Sequence, residues 1–189
     1  MTNPWDRPPL APHADESDSD IYIRVGQIAC QWEAVEVKLA IIYSVLLGRA
    51  DSVSALREYG EGRVFPERTA ALKRAAESYF VKYPDQQLEG RLDALLEACD
   101  GYIARRNDIV HSFVFPVNHM AFFRESLDLK KEDEKFLLIP PLQTGRKHAK
   151  DGPPVYAYNS NQLGNIFFQL IDLTDAISKF EADIFSRQI

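Results

Sequence analysis

Cysteine is scarce in this chain, and so are long apolar runs and net positive charge. Only Cys30 and Cys99 occur among 189 residues, and neither belongs to a CxxC or Cys/His ligand pattern. Two isolated cysteines are expected to be reduced thiols that act as small core residues, which makes the cytoplasm the default compartment. The composition therefore gives no support for a disulfide-stabilised or metal-binding domain.

The sequence also lacks the features of a membrane or secreted protein. Its most apolar stretch, residues 35–47, contains Glu36 and Lys38, and residues 1–20 have no apolar core of a signal peptide. The formal net charge is -6 and the pI is about 5.3, so no overall positive field attracts polyanions. We expect no membrane partner, and a nucleic acid would need a local basic patch or basic surface from a second subunit.

Apolar residues nevertheless make up 46% of the chain, which is enough to bury the core of one domain. Residues 1–19 hold four of the eleven prolines together with several acidic residues. This composition predicts a disordered or loosely attached arm. Residues 20–187 are expected to form the folded domain.

Apolar residues that recur at alternating steps of four and three predict three long amphipathic helices. These cover about residues 20–48, 88–109 and 160–184, and two shorter helices are predicted at about 51–60 and 66–83. The fold class is therefore mainly α, an antiparallel bundle of four to five helices. The regular spacing would also suit an extended coiled coil, but the breakers between the segments favour the bundle.

A strand-like insertion is predicted before the last helix, at about residues 112–158. Its β-type runs are separated by charged or Gly/Pro-rich stretches, and they cover residues 112–117, 120–123, 135–139 and 155–158. We expect a small antiparallel hairpin here, with a mobile loop at about residues 144–153.

The run Arg106-Asn107-Asp108-Ile109-Val110-His111 stands near the end of the second long helix. Arg106 interrupts an apolar stripe, where an arginine needs a partner or a ligand. Histidine titrates near neutrality, arginine stabilises charge on phosphorus, and asparagine can orient either a phosphate or the imidazole. This trio suits metal-independent cleavage of RNA through its 2′-OH, with Asp108 facing solvent. The alternative is a helix end whose carbonyls these side chains satisfy.

The spacing within this run limits how its side chains could cooperate. Asn107 and His111 are four residues apart and share one face of a helix, whereas Arg106 and His111 lie about 140° apart around a regular helix. Either Arg106 reaches around, or the helix ends nearby, or two copies of the chain meet.

The run resembles the RNxxxH form of the R-x4-6-H motif that marks the HEPN superfamily of all-helical domains. The stretch from Trp32 to Glu36 also looks like the first helix of these domains, and the likeness in layout covers about residues 20–187. The resemblance implies a HEPN-like bundle that forms a homodimer, with two motifs in a shared cleft.

The resemblance further implies a metal-independent endoribonuclease, a hydrolase without a cofactor, of the kind found in toxin–antitoxin and antiviral-defence systems. It makes Arg106 and His111 catalytic and Asn107 site-organising. It also suggests an organising role for Glu36, for which a surface or flanking glutamate is the alternative.

The expected partners are RNA and a second copy of the chain, with an antitoxin or defence-system protein as a further candidate. RNA phosphates are expected to contact four basic residues, Arg105, Arg146, Lys147 and Lys150. For Arg146, Lys147 and Lys150 the alternative is a solvated loop. The alternative function is a non-catalytic HEPN-like interaction or nucleotide-sensing module, which the acidic pI favours. In a purely structural bundle, Arg106 would be paired and buried.

Overall fold

Helical segments separated by glycine, proline and charged stretches account for most of the chain. The computed structural model describes residues 3–50, 52–147 and 153–187. Its α-helices are α1 (Asp18–Leu46), α2 (Val53–Gly60), α3 (Phe65–Lys82), α4 (Gln86–Val110), α5 (Ala121–Ser126) and α6 (Ser160–Phe185). The strands β1 (Phe113–Pro116) and β2 (Phe136–Ile139) pair antiparallel. The mainly helical class with a small β insertion is therefore confirmed.

The long helices bury most of the apolar stripes from which they were predicted, with Val25 on α1 and Leu95 on α4 only partly buried. In α6 every residue of the predicted stripe is buried, namely Leu163, Ile166, Leu170, Leu173, Ile177, Phe180 and Ile184. At its start the Asn159 Oδ1 accepts a hydrogen bond from the Gln162 N–H at 2.9 Å, a typical N-cap. Helix α1 ends before Gly48, whose φ of 68° lets the chain turn without a Cβ penalty.

The chain divides into two compact units. Unit 1 comprises residues 1–30 and 104–169, and unit 2 comprises residues 31–103 and 170–189. The two-stranded sheet belongs to unit 1, where it contributes to a cluster of buried apolar residues: Ala11, Val117, Phe123, Leu137, Ile139 and Ala157. Unit 2 is built from helical segments, including all of α2 and α3.

Two of the four predicted strand runs do not form strands. Residues 120–123 enter α5, because Val117–His119 forms a 3-10 turn and the Arg124 Nη1 then donates to the Asn118 carbonyl at 3.1 Å. Residues 155–158 contribute one isolated bridge, Leu138 to Tyr158. Within the predicted loop, Gly145–Lys147 forms a 3-10 turn, and residues 148–152 lie outside the described residues.

The segment before α1 differs from the loose arm that its composition predicts. The Ala11 N–H donates to the Ala157 carbonyl at 3.0 Å, and Ala11 is buried. Asp15 exchanges two backbone hydrogen bonds of 2.9 Å with Phe136 on β2. The segment thus completes part of the β2 edge and is held by specific backbone partners, which an average over composition does not detect.

The cysteines differ in exposure, and one of them contradicts its prediction. Cys99 is buried, as expected of a core thiol, whereas Cys30 is exposed. Within the described ranges, no helix has the length and apolar character that crossing a lipid bilayer requires.

Candidate functional site

The predicted motif spans the last turn of α4 in unit 1. Helix α4 ends at Val110, and the His111 N–H still donates to the Asn107 carbonyl at 3.2 Å. The Arg106 Nη1 donates to the Asn107 Oδ1 at 3.3 Å. His111 and Asn107 are exposed, and Arg106 is half-buried. Asn107 therefore contacts both other members of the motif, at a point where the helix ends.

Asp108, inside the same motif, is buried, so the prediction that it faces solvent is wrong. Its side chain is 7% exposed and accepts hydrogen bonds from three cations. The Arg7 Nε and Nη2 donate at 2.9 and 3.1 Å, the Arg105 Nη1 at 2.6 Å, and the Lys147 Nζ at 3.5 Å. We call these four residues the Asp108 cluster. A carboxylate that would be costly to bury alone is stabilised here by charge-assisted hydrogen bonds.

The main chain of Asp108 is held as firmly as its side chain. Its carbonyl, one of the terminal acceptors of α4, receives hydrogen bonds from the Tyr156 hydroxyl at 3.1 Å and from the Ser112 hydroxyl. The two hydroxyls are 2.9 Å apart. These contacts pin the end of α4, and thereby fix the backbone on which Asn107 and His111 are presented.

Tyr156 also connects the aromatic and cationic parts of the cluster. The Arg7 guanidinium lies 5.2 Å from the centre of its ring and the Lys147 ammonium lies 5.3 Å from it. The Tyr156 ring also stacks on the Tyr158 ring, with ring centres 5.3 Å apart. Burial raises the pKa of the Tyr158 hydroxyl to about 12, so it stays protonated at neutral pH.

The local charge balance is positive, because three cations surround one carboxylate. The hydrogen bond to Asp108 raises the pKa of the Arg7 guanidinium further, so it remains a cation throughout. A surplus of positive charge attracts anions.

The residues predicted to contact RNA phosphates fall into three groups. Arg105 and Lys147 bind Asp108, with side chains 12% and 32% exposed. Arg146 is exposed on the turn Gly145–Lys147, and Lys150 lies outside the described residues. Their contacts with RNA stay a prediction.

Glu36 belongs to unit 2 and is 8% exposed, which contradicts the surface alternative for this residue. Its Oε1 accepts from the Trp32 Nε1 at 3.1 Å, and its Oε2 lies 3.4 Å from the Arg68 Nη1. Burial raises the pKa of the Glu36 carboxyl, an effect that Arg68 partly offsets.

Sequence reasoning missed Arg7, Asp108 and Tyr156 as parts of this site. Arg7 is 101 positions away from Asp108, and nothing in its proline-rich surroundings indicates that contact. The one local signal was an acidic residue that follows Arg105 and Arg106 closely near a helix end. Among the described residues, no three His, Cys, Asp or Glu side chains group as metal ligands would.

No protein-family model, curated protein or solved structure matches the chain. The residues of the site are accordingly the basis on which a function is proposed.

Proposed function

We propose that the chain is a metal-independent endoribonuclease of HEPN type, which acts as a homodimer with Arg106 and His111 of each copy in a composite site. The observation that carries this proposal is the arrangement at the end of α4. An exposed imidazole follows the last helical turn, and Asn107 contacts both the His111 amide and the Arg106 guanidinium. In this proposal the His111 imidazole is the general base and the Arg106 guanidinium is the cation that binds phosphate.

In the proposed reaction, the neutral His111 imidazole takes the proton of a ribose 2′-OH. The 2′-oxygen then attacks the adjacent phosphorus while the bond from phosphorus to the 5′-oxygen breaks. The imidazolium returns its proton to that leaving oxygen, so the products are a 2′,3′-cyclic phosphate and a 5′-hydroxyl. Arg106 stabilises the extra negative charge on the phosphoryl oxygens in the transition state.

The Asp108 cluster supports this chemistry without taking part in proton transfer. The Asp108 carboxylate pairs with three cations, and the Asp108 carbonyl accepts hydrogen bonds from two hydroxyls. Such contacts hold the end of α4 in one geometry, which a positioned acid–base group requires.

The experiment is cleavage of a labelled RNA by the purified protein in excess EDTA. The wild type should produce fragments ending in a cyclic phosphate. His111→Ala and Arg106→Ala should each lose about 100-fold or more in rate, while their circular dichroism stays that of a folded helical protein. His119→Ala is the matched control, because His119 is also exposed and belongs to the same unit.

Wild-type protein that cleaves no RNA in EDTA, or a His111→Ala variant as active as the wild type, would refute the proposal. Dimerisation is checked separately by light scattering, with an expected mass twice the 21.5 kDa of one chain. A fully active monomer would refute the composite site.

A second candidate is a non-catalytic interaction or nucleotide-sensing module. Arg105 and Lys147 were expected to contact RNA phosphates but form ion pairs with Asp108, which favours this second candidate. The net charge of -6 favours it as well. In that case RNA or nucleotides would bind without being cleaved, and His111→Ala would change affinity alone.

A further inference from the structure

A surface cavity of about 230 Å³, open to solvent on the side of the exposed Val37, lies in unit 2, away from the residues of the motif in sequence. Helices α1, α2 and α3 form its wall, with three apolar and three polar side chains: Val37, Ala40, Leu56, Glu36, Tyr59 and Arg68. The apolar side chains supply an uncharged surface, and the polar side chains supply a carboxyl group, a guanidinium and a hydroxyl.

Three buried polar atoms line this cavity without a well-aligned hydrogen bond to the described residues, although Glu36 and Tyr59 are close enough to shift each other's pKa through a side-chain hydrogen bond. These atoms are the Glu36 Oε2, the Tyr59 hydroxyl and the Arg68 Nε. Glu36 and Tyr59 are 8% and 3% exposed, so neither is freely hydrated. Buried polar atoms are nearly always fully satisfied in folded proteins, and three incompletely satisfied groups around one cavity indicate that something else completes them.

The contacts already made by Glu36 define what is missing. Its Oε1 accepts the Trp32 indole N–H, while its Oε2 forms an ion pair with the Arg68 Nη1 at 3.4 Å that is not a hydrogen bond. The cavity therefore offers an acceptor at Oε2, a donor at the Arg68 Nε–H, and the Tyr59 hydroxyl as either.

Charge and size narrow the class of occupant further. The Glu36 and Arg68 charges cancel, so a charged ligand would gain no net attraction and would lose its hydration. The volume corresponds to that of about eight water molecules in the liquid, which suits a single small ring. Because donor and acceptor are needed side by side, an N–H next to a C=O matches the polar end.

We propose that this cavity binds a small neutral heterocycle with a lactam edge, of nucleobase size. The lactam N–H donates to the Glu36 Oε2, and its carbonyl accepts from the Arg68 Nε–H or the Tyr59 hydroxyl. The ring lies against Val37, Ala40 and Leu56. This site is independent of the proposed RNA cleavage and stands or falls without it.

The test uses uracil as the probe, because it carries the lactam edge on a single ring. Thymine keeps that edge and adds a methyl group, whereas 1,3-dimethyluracil keeps the ring and carbonyls but has no N–H. Trp32 contacts Glu36 directly, so its fluorescence reports on the cavity once Trp5, the other tryptophan, is replaced by phenylalanine. Calorimetry on the unmodified chain provides a second readout.

Uracil and thymine should bind saturably, and 1,3-dimethyluracil should bind at least tenfold more weakly. Tyr59→Phe should weaken uracil binding about tenfold, since it removes only a hydroxyl. Tyr43→Phe is its matched control, because the Tyr43 hydroxyl donates to Glu58 at 2.7 Å and does not line the cavity. Thermal unfolding of each variant verifies that it is folded.

No saturable binding at millimolar uracil would overturn the proposal and leave water as the occupant. Equal affinity for uracil and 1,3-dimethyluracil would overturn it as well, because the lactam edge would not be recognised. His111→Ala should bind uracil like the wild type, even though the proposed RNA cleavage is lost in it. The two proposals can therefore fail separately.

Discussion

The Arg7 guanidinium donates two hydrogen bonds to the Asp108 carboxylate, from Nε to Oδ2 at 2.9 Å and from Nη2 to Oδ1 at 3.1 Å. This bidentate pair joins the segment before α1 to the last turn of α4. A residue near the start of the chain thus helps to position the motif Arg106–His111.

Asp108→Asn should destabilise the protein by about 3 kcal/mol, because it removes the one negative charge from among three partly buried cations. Urea unfolding measures the loss. The control is Asp93→Asn, an exposed position on the same helix, which should change stability by less than about 0.5 kcal/mol. Equal effects at both positions would contradict the role of the Asp108 cluster.

The segment before α1 should show slow hydrogen exchange at two backbone amides. Ala11 donates to Ala157 and Asp15 donates to Phe136, so both amides are expected to be protected. Arg7→Gln should speed their exchange about tenfold or more, since it removes the bidentate contact with Asp108. A loosely attached arm would instead exchange at the rate of an unstructured peptide, with or without Arg7.

The helices could be predicted from the sequence because the pattern that marks each one is local. Apolar steps of four and three located α1, α4 and α6 to within a few residues, because one buried stripe repeats along each helix. Residues 120–123 were misassigned, because a run of four residues contains too few positions to distinguish a strand from a short helix.

The candidate site depends on partners that are distant in sequence, which local patterns do not reveal. The motif itself and its place at a helix end were predicted, but the burial of Asp108 was not. Its partners Arg7 and Lys147 are 101 and 39 positions away. Glu36 was underestimated for the same reason, because its burial depends on Arg68 and Tyr59 from other helices.

Gly62→Ala should disturb the cavity lined by Glu36, Tyr59 and Arg68, although Gly62 does not line it. A Cβ at this position would lie 2.8 Å from the Arg68 Cγ and 3.0 Å from its backbone nitrogen, so α3 or the Arg68 side chain must shift. We expect a loss of about 1–2 kcal/mol in stability and weaker uracil binding.

Gly60→Ala is the matched control, because a Cβ there meets nothing within 4 Å. Gly60 is the last residue of α2, so alanine should leave stability unchanged or raise it by up to about 1 kcal/mol. If both substitutions behaved alike in calorimetric unfolding, close packing of Gly62 on Arg68 would be disproved.

Stability should depend on pH through Glu36. Burial raises the pKa of this carboxyl, so the folded chain holds the proton more tightly than the unfolded chain does. The stabilisation is complete below the ordinary value of 4.5 and is lost as the pH rises through the raised pKa. Relative to the wild type, Glu36→Gln should therefore gain stability as the pH rises from the ordinary value of 4.5 through the raised pKa.

Chemical unfolding of both proteins across this pH range measures the difference. Glu97→Gln serves as the control, because Glu97 is exposed on α4 and its substitution should give a difference that does not change with pH. If the stability gained by Glu36→Gln stayed constant or fell with rising pH, burial would not disfavour the ionised form of Glu36.

The two cysteines should differ sharply in reactivity towards a thiol reagent. Only a thiolate attacks such a reagent, and burial raises the pKa of the Cys99 thiol to about 12. Cys30 is exposed, so its thiol is accessible in the folded protein. One equivalent of thiol should therefore react in native buffer and two in denaturant, and Cys30→Ser should abolish the native reaction. If Cys99 reacted as fast as Cys30 without denaturant, the buried core of unit 2 around Cys99 would have to open readily in solution.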